Sequence, residues 1–124
     1  MNKSEGSRQA AYKRGLYAEG LAALYFRVRG YRIVCRRYKT PVGEIDLIVE
    51  KKGRLVAVEV KTRSTLEEAL CAVTPRGRAR IEKALGHFLM RHPAFSAHDI
   101  RFDVIAGSHP FCWRHLDNAW EARS

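Results

Sequence analysis

"GEIDLIVEKKGRLVAVEVK" spans residues 43–61, and its reading decides the fold. Two runs rich in Ile, Leu and Val flank a Lys-Lys-Gly tip, which predicts strands over 44–50 and 54–61 joined as a hairpin. Side chains alternate along a strand. Ile45, Leu47 and Val49 therefore share one face, as do Val56, Val58 and Val60. The opposite face carries Glu44, Asp46, Ile48 and Glu50 with Leu55, Ala57, Glu59 and Lys61. The first face is wholly apolar and belongs against a core. The second is apolar near the tip and charged at its far end. A two-residue loop at Lys52-Gly53 sets Lys51 opposite Arg54, Asp46 opposite Glu59 and Glu44 opposite Lys61. A three-residue loop would set Asp46 opposite Val58 and mix the faces, which the apolar pattern rejects.

Directly opposed Cβ atoms lie about 4.5–5.5 Å apart. Two carboxylates that close stay ionised only with positive charge between them. Mg²⁺ takes hard oxygen ligands, commonly one or two carboxylates with water and phosphate completing the shell. Lys61, on the same face, would then stabilise a pentavalent phosphate or position a water. A structural ion-pair network accounts for the same charges, with Glu44 on Lys61 and Asp46 on Arg37 or Arg63. Parity and charge alone leave both readings open.

Outside the hairpin, residues 1–8 read as a flexible tail and 9–124 as a single domain. From about Arg8 to Arg29, Tyr12, Leu16, Leu21, Ala23, Leu24, Phe26 and Val28 recur at helical spacings, and Gly30 suits a C-terminal cap. YRIVCRRY (31–38) reads as a strand and KTPVG (39–43) as a turn. TRSTLEEAL leads to a second helix, with Thr74 as N-cap, Pro75 as first helical residue and an apolar stripe of Ile81, Leu85, Phe88 and Leu89. It stops at His92-Pro93. Strands at 99–106 and 111–115 follow, then a turn of helix at 116–120. The order αβββαββ predicts an α/β domain, a central mixed sheet flanked by helices.

At 124 residues and 46% apolar, the chain can build one core. Its 23 Lys and Arg against 13 Asp and Glu leave a net charge of +10, which points to a polyanionic partner, most commonly nucleic acid. Cys35, Cys71 and Cys112 are odd in number and form no CxxC, so neither a disulfide framework nor a structural zinc site is expected; each is read as a buried thiol. Phe95, Phe111, Trp113 and Trp120 are read as core, with no stacking platform, and Arg101 with Asp103 as a pair. No apolar stretch approaches a membrane span, and the polar N-terminus lacks the apolar segment of a signal peptide, so a cytoplasmic location is expected.

Asp46 followed by Glu59-Val60-Lys61 resembles the PD-(D/E)xK nuclease core. With "GEIDLI", "VAVEVKTR", "AVTP", "RFDVIA" and "HLDNAW" in this order, residues 12–120 resemble the YraN-like family of small bacterial proteins. That resemblance implies a restriction-endonuclease-like fold, related to archaeal Holliday junction resolvases. It implies that Asp46, Glu59 and the main-chain carbonyl of Val60 hold Mg²⁺ or Mn²⁺, that Lys61 assists catalysis, and that Glu19 on the first helix completes the site. Glu19 also stands out alone: its helical neighbours Gly15, Ala22, Ala23, Tyr12 and Phe26 form a mostly small, apolar surface, where a carboxylate needs a partner, the alternative being a surface glutamate that snorkels beside Arg or Lys. Beside such a site, Arg36, Arg37, Lys39, Arg63, Arg76, Arg78 and Arg80 are candidate phosphate contacts, although each also suits a solvated face. The chain departs from the family pattern at Arg37 (often Asn), Ala57 (often Phe) and Gly77 (often basic); the last removes a candidate phosphate contact.

The expected function is therefore Mg²⁺-dependent phosphodiester hydrolysis on DNA, branched or otherwise structured. Two alternatives remain at this level: a non-catalytic nucleic-acid-binding module with the nuclease fold, and a basic protein-interaction factor. A related resolvase would act as a homodimer, but the sequence shows no exposed apolar patch to mark one.

Overall fold

The computed structural model describes residues 3–108 and 112–122. Five strands form one sheet in sequential order: β1 (Arg32–Thr40), β2 (Gly43–Lys51), β3 (Arg54–Arg63), β4 (Asp99–Ser108) and β5 (Cys112–Trp120). β3 and β4 run parallel and the other neighbours antiparallel, so the sheet is mixed, as expected. A parallel step needs a crossover. Here α2 (Leu66–Cys71), α3 (Pro75–Arg91) and a 3-10 turn at Pro93–Phe95 supply it.

Both faces of the sheet are covered. On one, Ile81, Leu85 and Phe88 of α3 pack with Ile48, Leu55, Ala57 and Phe102. On the other, Ala22, Ala23 and Phe26 of α1 (Lys3–Val28) pack with Leu47, Val49, Val56, Val58 and Ile105. The hairpin has the register its sequence predicts, from Lys51↔Arg54 to Leu47↔Val58. Lys52 (φ 49°) and Gly53 (φ 79°) both take positive φ, the requirement of a tight two-residue turn that matches strand twist. Thr74 caps α3, its hydroxyl accepting the Gly77 N–H at 3.0 Å, and Gly30 follows α1 with φ 92°. Both caps are as predicted.

Several expectations need correction. α1 begins at Lys3, not about Arg8; the polar residues before Arg8 carry no apolar period to announce a helix. Its buried face is Ala18, Ala22, Ala23 and Phe26, while Tyr12, Leu21, Leu24 and Val28 are exposed, because small residues let the helix lie close to the sheet. LEEALC is a separate helix, α2, capped by the Thr65 hydroxyl on Glu68 N–H at 3.1 Å. Residues 116–120 are strand rather than helix, since Leu116 and Trp120 pair with Val104 and Phe102. Cys71 and Cys112 are exposed rather than buried; Cys35 is half-buried, which pushes its thiol up. Trp113 is exposed rather than core, and Phe111 lies outside the described residues.

Candidate functional site

Strict alternation would keep Ile45 with Leu47 and Val49. Instead Ile45 joins Ile48 in the α3-side core, while Leu47 and Val49 face α1. The neighbouring strand slips in step: Cys35 and Tyr38, three residues apart, both pack towards α3. Between them Arg37 has φ 55°, a left-handed backbone unusual for any residue but glycine or asparagine. Arg36↔Leu47 and Tyr38↔Ile45 are paired; Arg37 and Asp46 between them are not. The irregularity turns Asp46 out of the ladder towards α1.

On the other side of β2 the ladder ends at Leu47↔Val58. The direct Asp46–Glu59 opposition expected from sequence therefore does not form. Asp46 Oδ2 instead accepts the Val60 N–H at 2.8 Å, acting as a backbone acceptor would. In a sheet the N–H and C=O of one residue point to the same neighbour, so the Val60 carbonyl also faces this opened gap.

Glu59 and Glu19 close on Asp46 from two sides. Burial pushes the Glu59 carboxyl up, a hydrogen bond and repulsion from Asp46 add to this, and Lys61 only partly offsets them; the result is about 9. Lys61 Nζ lies 3.6 Å from Glu59 Oε1, so the alternative Glu44–Lys61 pair is replaced by this one. Burial, then Asp46, also raises Glu19, against the pull of Arg37 and Arg36. Its Oε2 is buried without a hydrogen-bond partner, and Arg37 Nε, 3.7 Å away, is equally unpartnered. The far end of Arg37 reaches the Tyr12 hydroxyl at 3.4 Å and lies over that ring. Tyr12 was no site candidate in the sequence; its helical spacing from Glu19 was the available signal.

The structure thus brings together Glu19, Asp46, Glu59, Lys61, the Val60 main chain, Arg36 and Arg37. Among the described residues no three His, Cys, Asp or Glu side chains converge as a metal-holding set. Two carboxylates and a carbonyl are what the site offers. Arg63 is exposed, its guanidinium on its neighbour's carbonyl. Lys39, Arg76 and Arg80 are exposed, and Gly43 backs onto Arg80: a Cβ there would sit 2.6 Å from the Arg80 carbonyl oxygen. Arg78 is committed elsewhere, lying over Trp120 at 5.4 Å.

A second polar cluster is only half visible in the sequence. Asp103 is the one fully buried charged residue among those described. Arg101 holds it with two bonds at 2.8 and 2.9 Å, as the alternation of the two residues predicted. His115 Nε2 at 2.7 Å and Asn118 N–H at 3.0 Å complete it from β5. Burial opposes the charge, but His115, Arg101 and the Asn118 N–H outweigh it and hold the carboxyl below its ordinary range. His115 Nδ1 in turn meets the Tyr25 hydroxyl at 2.8 Å.

No helix among the described residues is long and apolar enough to cross a membrane. The model of "Uncharacterised protein family UPF0102" matches residues 18–106, a span containing Glu19, Asp46, Glu59, Lys61 and Asp103. A UPF0102 protein of Parvibaculum lavamentivorans is 50% identical over 112 residues, covering 90% of this chain and 84% of its own. Relatives from Rhodopseudomonas palustris strain BisB18 (44% over 115 residues; 93% and 85% covered) and Bradyrhizobium sp. strain ORS 278 (45% over 115; 93% and 82%) match similarly. The chain therefore belongs to UPF0102, the YraN-like family that its motifs resemble.

Proposed function

We propose that this chain is a metal-dependent phosphodiesterase of PD-(D/E)xK type on a restriction-endonuclease-like fold, acting on nucleic acid, with DNA favoured. One observation carries the reading: Asp46 and Glu59 are pressed together where the sheet opens, at the cost of a proton that Glu59 would not otherwise hold. Ion pairing alone would not set two carboxyls against each other; here Asp46 and Glu59 meet although Lys61 and Arg37 stand beside them. The donor set of two carboxylates and the Val60 carbonyl suits a hard divalent cation such as Mg²⁺ or Mn²⁺. When bound, such a cation would supply Lewis acidity and a more acidic water.

The chain's own residues account for the rest. Lys61, 3.6 Å from Glu59 and partly open to solvent, is the cation that would stabilise charge developing on a phosphate held there. Glu19 Oε2 makes no hydrogen bond and faces Arg37 Nε at 3.7 Å; with Arg37 drawn to a phosphate it would be placed to orient a water. Arg36 and Arg37 beside the carboxylates, and exposed Arg63 two residues beyond Lys61, are the phosphate-binding candidates.

The test is a cleavage panel of single-stranded, duplex, flap and four-way-junction DNA with Mg²⁺ or Mn²⁺, beside an Asp46→Asn control and calorimetric Mn²⁺ titration. The expected result is cleavage that Asp46→Asn abolishes, with Mn²⁺ binding lost in the same variant. Wild-type protein that neither cuts nor binds Mn²⁺ sinks the proposal. The alternative is a nucleic-acid-binding module that keeps the fold without turnover, which the net charge of +10 suits equally. Lys61→Ala separates the two: a nuclease loses turnover and keeps binding, whereas a binder has no turnover to lose.

A further inference from the structure

We propose that the cavity between α1 and β5 takes an unpaired nucleobase from a strand whose phosphate lies at the carboxylate site. This rests on the nucleic-acid reading above. The cavity holds about 310 Å³ and its walls are Leu21 and Ala22 of α1, Ile105 of β4 and the ring of Trp113 of β5. Trp113 is 37% exposed, an aromatic face open to solvent. Its seat is specific. A Cβ on Gly107 would lie 2.5 Å from a Trp113 ring carbon, so only glycine lets the indole lie across β4.

The polar edge of the cavity is equally defined. His115 meets Asp103 through Nε2 at 2.7 Å and the Tyr25 hydroxyl through Nδ1 at 2.8 Å, which holds that hydroxyl at the cavity wall. One hydrogen bond to His115 does not exhaust the Tyr25 hydroxyl, which keeps capacity for the donors and acceptors of a base edge. Apolar walls, one exposed indole and a hydroxyl held at the edge fit a planar heterocycle.

Position ties this cavity to the carboxylates. Asp46 bonds the Val60 N–H, Val60 pairs with Ile105, and Ile105 pairs with His115. Strands lie about 4.8 Å apart, which sets His115 roughly 10 Å from Val60. Along α1, the six residues from Glu19 to Tyr25 rise about 9 Å. The two paths agree on a separation that about three nucleotides span at ~3.4 Å each. A base stacked in duplex cannot enter without being flipped out. The cavity therefore selects strand ends, flaps or branches.

The test uses the Asp46→Asn protein without divalent ion, so that nothing is cut. A short single-stranded DNA carrying 2-aminopurine and its duplex form are the probes. The expected results are quenching of 2-aminopurine on binding, and single-strand affinity about 5- to 150-fold weaker in Trp113→Ala with duplex affinity changed less than about two-fold. Gly107→Ala, which displaces the indole while leaving it in the chain, should act in the same direction; circular dichroism confirms folding of both. Equal losses on both probes, or no quenching, overturn the proposal. So does a concentration-dependent dimer that Trp113→Ala disperses, since the groove then belongs to a second copy. Selective stacking in a protein that never cuts DNA would uphold the cavity and sink the nuclease; cleavage unmoved by Trp113 would do the reverse.

Discussion

Glu59 holds a proton that an exposed glutamate would release, and this has a consequence for stability. Its folded carboxyl titrates at about 9 against an ordinary 4.5. Between these values the unfolded chain is ionised and the folded chain is not, so folding takes up a proton and stability falls as pH rises. The contribution is whole below pH 4.5 and is lost progressively up to about 9. Glu59→Gln removes the dependence. In metal-free buffer it should match wild type near pH 5 and exceed it by on the order of 3 kcal/mol near pH 7. Urea unfolding at several pH values checks this, and a pH-independent difference would show that Glu59 is ionised throughout. The grouping of Asp46, Glu59 and Lys61 was legible in the sequence because period-two alternation and a two-residue turn together determine register. Their exact relation was not. It depends on the left-handed backbone of Arg37, and an arginine carries no propensity signal for that conformation, whereas a glycine or asparagine there would have carried one.

Among the elements, β5 was the least legible. Its final residues alternate poorly, and Asn118 takes φ 50° at a register shift opposite β4. What makes it a strand is long-range: Asp103 of β4 collects the Asn118 N–H and the His115 ring and so ties β5 down. Local patterning cannot show that, whereas α3, with a capping threonine, a first-turn proline and a regular stripe, declares itself locally. Asp103→Asn should therefore act on the whole β4–β5 pair. It leaves the Arg101 guanidinium, 14% exposed, without its bidentate partner. Removing one member of a buried pair costs about 3–5 kcal/mol. The expected outcome is a loss of that size in denaturant unfolding, with hydrogen exchange accelerating first in β5. A loss under 1 kcal/mol would mean that Tyr31 and Tyr25 suffice to hold Arg101 and His115.

Over the whole molecule, a net charge of +10 does not say which basic residues meet a polyanion, because arginine serves as packing as well as charge. The structure separates the two uses. Arg63 follows the catalytic candidate Lys61 on β3, is exposed, and bonds only its neighbour's carbonyl among the contacts seen. Arg78 is half-buried over the Trp120 ring, with its Nε out of contact with water. Both read as equivalent phosphate candidates in the sequence; they should behave differently in binding. Each phosphate neutralised contributes about 0.9 to the slope of log affinity against log salt on duplex DNA. Arg63→Ala should lower that slope by about 1 and weaken binding regardless of sequence. Arg78→Ala should leave the slope unchanged and instead lower the unfolding midpoint, since it uncovers Trp120. Anisotropy titrations from low to moderate salt give both slopes. If Arg78 moves the slope and Arg63 does not, the nucleic acid lies along the α3 face, away from the carboxylates, and phosphate binding is separate from the site at Asp46.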